Sequence, residues 1–504
     1  MRTPCGVRFL TTTVGAFRDA LGSNFVEKTQ TNLAWGALLD LSAARPGPLH
    51  AKLTSAIRTA VRDGRLPHGA ALPPSRTLAE ELKVSRTTVT RAYGQLITEG
   101  YLSAHAGSAT RVGWTGDPAV RAARRPAAAG PVPPPPRQVR YDMADCTQDF
   151  RAFPRRAWLE AMRTAAETAP FHDLGYGEPG GVPRLRAVLA EHLNRRRGAA
   201  LRPDLVSIHS GSGQGLVRLL GALAEAGIRR IGIEDPGSIR FRRTALAAGL
   251  EAVAIPVDDD GLVVEALDAY PDVTVVCTGP AHNVATGCVL APARRAALLA
   301  WARRMDGLVV EDDYDSEFSY DGPALPALQG SDPNRVALLG SMTRTMTPTV
   351  GVGWLAVPPR WAAAVQPDPL LPVGPSALTQ MALAHFLESG AFDRHLRSSR
   401  QRFRARRNVL LTGIERLLPD CQVHGAQGGL HVLLDLPAGV RSDEVSAEAK
   451  RRDLRLCQIG YTRFVHDPDD NRLPVGYANL SDSVAEEAVE VLAQAIRHVQ
   501  GLDG

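Results

Sequence analysis

Between residues 114 and 140 the chain reads WTGDPAVRAARRPAAAGPVPPPPRQVR, where alanine, proline and arginine displace any apolar periodicity. Its four successive prolines, Pro133 to Pro136, have a fixed φ and no N–H to give, so they favour extended polyproline geometry over helix or sheet. A semi-stiff tether of this kind divides the 504 residues into a short head and a long body. Charge follows the same division. Residues 1–140 hold 19 lysines and arginines against 8 aspartates and glutamates, a net of +11, and the remainder carry 39 against 45, a net of −6. A basic head on a mildly acidic body points to an anionic polymer as the head's partner. No uncharged apolar run reaches the roughly 18 residues a membrane span needs, which predicts no membrane partner. The six cysteines are scattered without a C-x-x-C pair or metal-ligand spacing, predicting reduced thiols, no metal site and a cytoplasmic chain. Residues 1–44 are expected to be an N-terminal extension; Arg8 and Arg18 flank a broken apolar stretch that makes only a weak targeting signal.

Within residues 45–113 the spacing predicts three helices and a wing. Leu49, Leu53, Ile57, Ala60 and Val61 recur at helical intervals up to Gly64, and a short helix follows over residues 75–83. Ser85 is placed to cap a third helix whose inner face is Val89, Ala92, Tyr93 and Leu96, with Gly100 beyond its end. YLSAHAGSATRVG then reads as two short strands around Ala106, Gly107 and Ser108. This is a winged helix-turn-helix pattern, in which the second helix of the pair enters the DNA major groove N-terminus first. The residues so placed are Ser85, Arg86, Thr87, Thr88 and Thr90: Arg86 matches a guanine edge and the hydroxyls match phosphates or bases. Arg76, and Arg111 in the wing whose tip is Gly107, are placed for backbone contacts.

From residue 141 to about 500, short β-type runs such as RRIGIEDPG, VTVVCTGP, DGLVVEDDYD and RVALLGSMT alternate with amphipathic stretches. That alternation predicts an α/β domain with a largely parallel sheet, whose ligands sit at the carboxyl ends of the strands. After about Pro372 the pattern changes to long helices, a strand and a further helix, a smaller α+β lobe. SGSGQGL places Ser212, Gly213 and Gln214 at a turn into a helix, where free N–H groups and the dipole favour a phosphate.

The head, through LPPSRTLAEELKVSRTTVTRAYGQLITEGYLSAHAGSATRV, resembles the GntR family of bacterial transcription regulators. GYGEPGGVPRLRAVLAEHL, SGSGQGL, IEDPG, GPAHNVATG, VVEDDYDSEFSYDGPALPALQG, GSMTRTMTPTVGVGWL and VGYANLSD resemble fold-type-I pyridoxal-phosphate enzymes of the aspartate aminotransferase superfamily. Together the two parts resemble the MocR-type subfamily of GntR regulators, from about residue 45 to 500. The resemblance implies a DNA operator as partner and a homodimer with its clefts at a two-fold interface. It also implies that Asp312 faces a cofactor's pyridinium nitrogen, Tyr314 its phenolic oxygen, and that His282 and Asn283 line the cleft. Ser341 and Thr343 retain phosphate-facing hydroxyls, while Arg344 stands where the subfamily has its Schiff-base lysine and Gly351 where it has a phosphate-gripping arginine.

A guanidinium does not replace that lysine. Imine formation needs a deprotonatable amine, and arginine stays protonated and poorly nucleophilic at any physiological pH. The chain has four lysines, Lys28, Lys52, Lys83 and Lys450, none of them near the cleft motifs. Asn479, where the subfamily's sensors often place an arginine, leaves only Arg472 nearby to clamp a substrate carboxylate. The expectation is therefore no covalent cofactor and no catalysis, pyridoxal phosphate held at most non-covalently and weakly, and a possible small anionic effector anchored by Arg344. An aminotransferase with an accessory head, and a body that only dimerises, are the alternatives.

Overall fold

The computed structural model describes residues 35–39, 41, 47–105, 108–115, 139–144, 148–175, 177–322, 325–366, 374–457, 459–465 and 470–501. They fall into two compact units, one within residues 1–135 and one within 136–504. The wing tip with Gly107, the four prolines and most of residues 1–44 lie outside the described residues.

In the head, the helices are Leu49–Arg62, Ser75–Glu81 and Arg86–Thr98, two residues shorter at the first two C-termini than the sequence pattern predicts. Their apolar spacing closes one core: Leu53, Ile57, Val61, Leu78, Val89, Ala92 and Leu96 are all buried. Each leucine, isoleucine or valine among them contributes about 1.5–3 kcal/mol if fully withdrawn from water. Tyr93 joins them because its hydroxyl finds a partner, donating to the Pro73 carbonyl at 2.9 Å. The strands Leu102–Ser103 and Arg111–Val112 pair antiparallel, Leu102 opposite Val112, and form the wing's base. A bidentate ion pair from Arg58 to Glu99 ties the first helix to the residue that ends the third.

The body is built on an eight-stranded sheet. Edge to edge its strands are Val206–His209, Gly353–Ala356, Val336–Ser341, Leu308–Asp313, Val275–Thr278, Arg230–Asp235, Glu251–Asp258 and Gly261–Leu262. Six run parallel; Gly353–Ala356 and the edge strand Gly261–Leu262 are antiparallel to their neighbours. The central strands are buried along their whole length, as continuous apolar runs in a doubly covered parallel sheet must be. All parallel strands therefore end on one rim, and that rim collects the motifs singled out in the sequence. Gly353 brings the rim together: a Cβ there would lie 2.4 Å from the Gly211 carbonyl carbon, so only glycine lets the turn before Ser212 rest on the neighbouring strand.

A 27-residue helix, Ala391–Leu417, leads into the smaller lobe. That lobe is a three-stranded antiparallel sheet, Gln422–His424, His431–Asp435 and Arg472–Gly476, with the helices Ser442–Arg451 and Ala485–Val499. The α/β large lobe and smaller α+β lobe are the architecture the alternation of segments predicts.

Candidate functional site

The end that a winged helix-turn-helix presents to DNA is, by the pattern, the start of the helix Arg86–Thr98. Ser85 caps it, its Oγ accepting the Thr88 N–H at 3.1 Å, as its position before the apolar stripe predicts. The hydroxyls divide into two groups. Thr88 Oγ1 lies 2.8 Å from Ser85 Oγ, and Thr90 Oγ1 donates to the Arg86 carbonyl at 3.0 Å, so both are used to finish the helix. Ser85, Arg86, Thr87, Thr90 and Arg91 are exposed, Arg86 and Arg91 being the charged side chains among them. Arg76 is exposed and forms an i,i+4 pair with Glu80, while Arg111 donates to the Gly69 carbonyl at 2.9 Å and anchors the wing.

On the body's rim, Ser212 opens the helix Ser212–Glu225, whose first N–H groups have no intrahelical acceptor. The side chain of Gln214 turns back, its Oε1 accepting the Ser210 N–H at 2.7 Å, and fastens the turn. Gly213 has open space where a Cβ would stand. Asn283 is likewise turned inward: its Oδ1 accepts the N–H groups of Ala285 and Thr286, both at 2.9 Å. It closes the loop that the sequence reading assigns to the cleft lining. His282 Nδ1 lies 2.9 Å from the Tyr314 hydroxyl and 3.0 Å from Asp315 Oδ2, a buried His–Asp pair beside the tyrosine. A cavity of about 380 Å³ borders His282 and Asp315.

Asp312 ends its strand buried, as predicted, but its principal partner is one that sequence reasoning misses. Arg240, on the helix Ile239–Ala247, donates from Nη2 to Asp312 Oδ2 and from Nη1 to Ser212 Oγ, both at 2.7 Å. Burial pushes the Asp312 carboxyl above its ordinary range, and Arg240 pulls it back. Asp312 Oδ1 is buried with no hydrogen-bond partner. Arg344 lies over the Tyr314 ring, 5.9 Å from guanidinium carbon to centroid. Because Asp312 and Tyr314 are two residues apart at the end of one strand, the two guanidinium groups flank the same rim.

Ser341 is buried at the end of its strand, and its Oγ accepts the Thr343 N–H at 3.4 Å. The Thr343 carbonyl accepts from Gln148. Gly351 closes the turn Pro348–Val350 at φ +62°, ψ +35°, a left-handed conformation that costs any other residue about 1–2 kcal/mol. An arginine at 351 in this loop would be strained. Asn479 spends its amide on Asp142 Oδ2 at 2.5 Å, and Arg472 is paired with Asp470.

Deeper in the sheet sits Glu234, the first acidic residue of IEDPG. Thr278 Oγ1 donates to its Oε1 at 2.5 Å and the Gly279 N–H to its Oε2 at 3.1 Å. Burial nevertheless pushes its carboxyl up to about 7.

A winged helix-turn-helix unit on one side of a proline-rich segment and an α/β unit on the other define a DNA-binding transcription regulator with an aminotransferase-like domain. Residues 49–112 match the gntR family of bacterial regulatory proteins, and residues 145–492 match the aminotransferases of class I and II. The chain belongs to the MocR-type subfamily of GntR regulators. It is 35% identical over 402 residues to the HTH-type pyridoxine biosynthesis transcriptional regulator PdxR of Corynebacterium glutamicum, covering 78% of this chain and 84% of that one. It is 30% identical to the probable rhizopine catabolism regulatory protein MocR of Rhizobium meliloti, covering 89% and 94%. Among solved structures, the multiple substrate aminotransferase of Thermococcus profundus superposes with a TM-score of 0.64 at 23% identity, over 72% of this chain and 92% of that one, which establishes the fold of the body.

Proposed function

We propose that the body of this regulator is a homodimeric sensor that holds no covalent pyridoxal phosphate and catalyses no transamination, and that its rim receives a small anionic effector. The observation that carries this reading is Arg344, at the place where the resemblance puts the Schiff-base lysine, in a body whose sole lysine is Lys450. Lys450 is exposed on the helix Ser442–Arg451 of the smaller lobe, away from the rim motifs. Two guanidinium groups, Arg240 and Arg344, and the first turn of the helix at Ser212 supply positive potential for an anion. Dimerisation is supported by unpartnered apolar surface: Phe150, Leu159, Phe171 and Leu174 are exposed within residues 150–174. A groove of about 620 Å³ runs beside them, lined by Phe150, Phe153, Trp158, Met162, Pro348 and Val350. Pro348 and Val350 belong to the same loop as Arg344, so a partner seated there would touch the loop that reads the ligand.

The test is chemical. After incubation with excess pyridoxal phosphate the purified protein is treated with borohydride and mapped by mass spectrometry. No pyridoxyl adduct is expected in residues 141–500, and an adduct there overturns the non-covalent reading. The name of the Corynebacterium relative, a regulator of pyridoxine biosynthesis, makes vitamin B6 compounds the reference ligands against which smaller anions such as inorganic phosphate are titrated.

A further inference from the structure

Arg240 does two things at once. One nitrogen of its guanidinium holds the hydroxyl of Ser212, on the turn that the motif assigns to a phosphate, and another holds the carboxylate of Asp312, the group assigned to a pyridinium nitrogen. These are the two ends of a cofactor cradle, and a single side chain of the protein spans both. We propose that Arg240 is a lock: it fills the cradle from within and excludes pyridoxal phosphate and its relatives, leaving the rim to smaller anions.

The geometry supports this in three steps. A ring cofactor would have to displace the guanidinium from Ser212 to bring its phosphate to the helix N-terminus. It would then have to share Asp312, since the remaining acceptor, Oδ1, belongs to the carboxylate that Arg240 already neutralises through Oδ2. A pyridinium at Oδ1 would place a second cation beside the first on one buried carboxylate, a like-charge contact that both desolvation and Coulomb repulsion oppose. A small anion carries no ring nitrogen to place against Asp312, so it meets only the first of these obstacles: it can take the helix terminus and Ser212 while Arg240 keeps its pair with Asp312. The lock is independent of imine chemistry: restoring a lysine at 344 alone leaves Arg240 in place. The inference rests on the reading of the body as a sensor without covalent cofactor, and adds the residue that keeps the cofactor out.

Pyridoxamine phosphate is the probe, because it carries the ring nitrogen and the phosphate but no aldehyde, so every lysine of the chain is silent. Isothermal titration of the full-length protein compares wild type with Arg240→Ala and with Arg240→Gln, which keeps length and loses charge. Wild type is expected to give no saturable binding up to about 1 mM, and both variants to bind at least tenfold more tightly. Adding Asp312→Asn to Arg240→Ala is expected to abolish the gain, because the uncovered carboxylate is the acceptor. Retained operator binding and an unchanged far-ultraviolet spectrum identify folded variants, and Arg240→Gln carries the test if Arg240→Ala does not fold. Wild type binding as tightly as the variants, variants that gain nothing, or a gain indifferent to Asp312→Asn each overturns the lock. If wild type also yields no borohydride adduct, such a failure leaves the sensor reading standing.

Discussion

Glu234 and Arg240 are six residues apart in IEDPGSIR, and neither shows its role in the sequence. The acid is buried beneath the rim and its carboxyl is pushed up to about 7 by that burial. The sign of the consequence is fixed. Between the free carboxyl's range, about 4.3, and 7 the folded chain holds a proton that the unfolded chain has released, so stability falls as pH rises. The contribution is complete below about 4.3 and lost as pH climbs through 7. Compared with Glu234→Gln, which has no proton to lose, the wild-type body is expected to weaken between pH 4.5 and 7 by up to about 1.4 kcal/mol per pH unit. Urea unfolding of the two proteins across that range checks it, and parallel curves would remove the buried proton from the account. Glu311, raised to about 7, and His209, lowered to about 4, are present in both proteins and cancel in the comparison. Arg344 stands out in the sequence because the resemblance puts a lysine at its place and a guanidinium cannot form an imine. Arg240 does not, because it stands among Arg242 and Arg243 at the start of a helix, where three guanidinium groups look alike until the fold presses one against Asp312. Gln214 and Asn283 have local partners that the sequence does not show: each accepts backbone N–H groups of its own loop.

At the scale of elements, local signals carry furthest. Ser85, an apolar stripe at helical spacing and Gly100 delimit the helix Arg86–Thr98 because capping, burial and termination are decided within a few residues. The same locality sharpens the interface. With Thr88 and Thr90 hydrogen-bonded within the helix, Arg86 is the side chain expected to carry base reading. Arg86→Ala is expected to weaken specific operator binding by about 1–3 kcal/mol and to relax preference at one base pair. A gel-shift titration against operator and scrambled duplex measures it; equal loss on both would make Arg86 a phosphate contact. The body's sheet was legible as alternation, since parallel strands buried on both faces must be continuous apolar runs. Its strand order was not, because the antiparallel placement of Gly353–Ala356 between Val206–His209 and Val336–Ser341 is a long-range choice with no local signature.

At the scale of the whole molecule, a winged helix-turn-helix reads a half-site, and specific affinity for a two-fold operator comes from two heads held together. The body supplies the exposed apolar side chains for that, Leu159 and Phe171 foremost, at 70% and 94% exposure. Since neither is packed in the monomer, their replacement costs the fold little, and any large effect reports on assembly. Leu159→Asp with Phe171→Asp is expected to convert a dimer to a monomer in light scattering while leaving the body's melting temperature largely unmoved. Operator affinity is expected to drop by about 100-fold or more, because the second head's binding ceases to be intramolecular. A double variant that stays dimeric, or a monomer with undiminished affinity, would separate DNA reading from this face. The groove that Phe150 lines is also lined by Pro348 and Val350 of the loop that carries Arg344, so on the proposed reading subunit contact and ligand contact would share one short segment. On the proposed sensor reading, a ligand that shifts this loop is expected to change dimer affinity by the difference in its binding to the two arrangements.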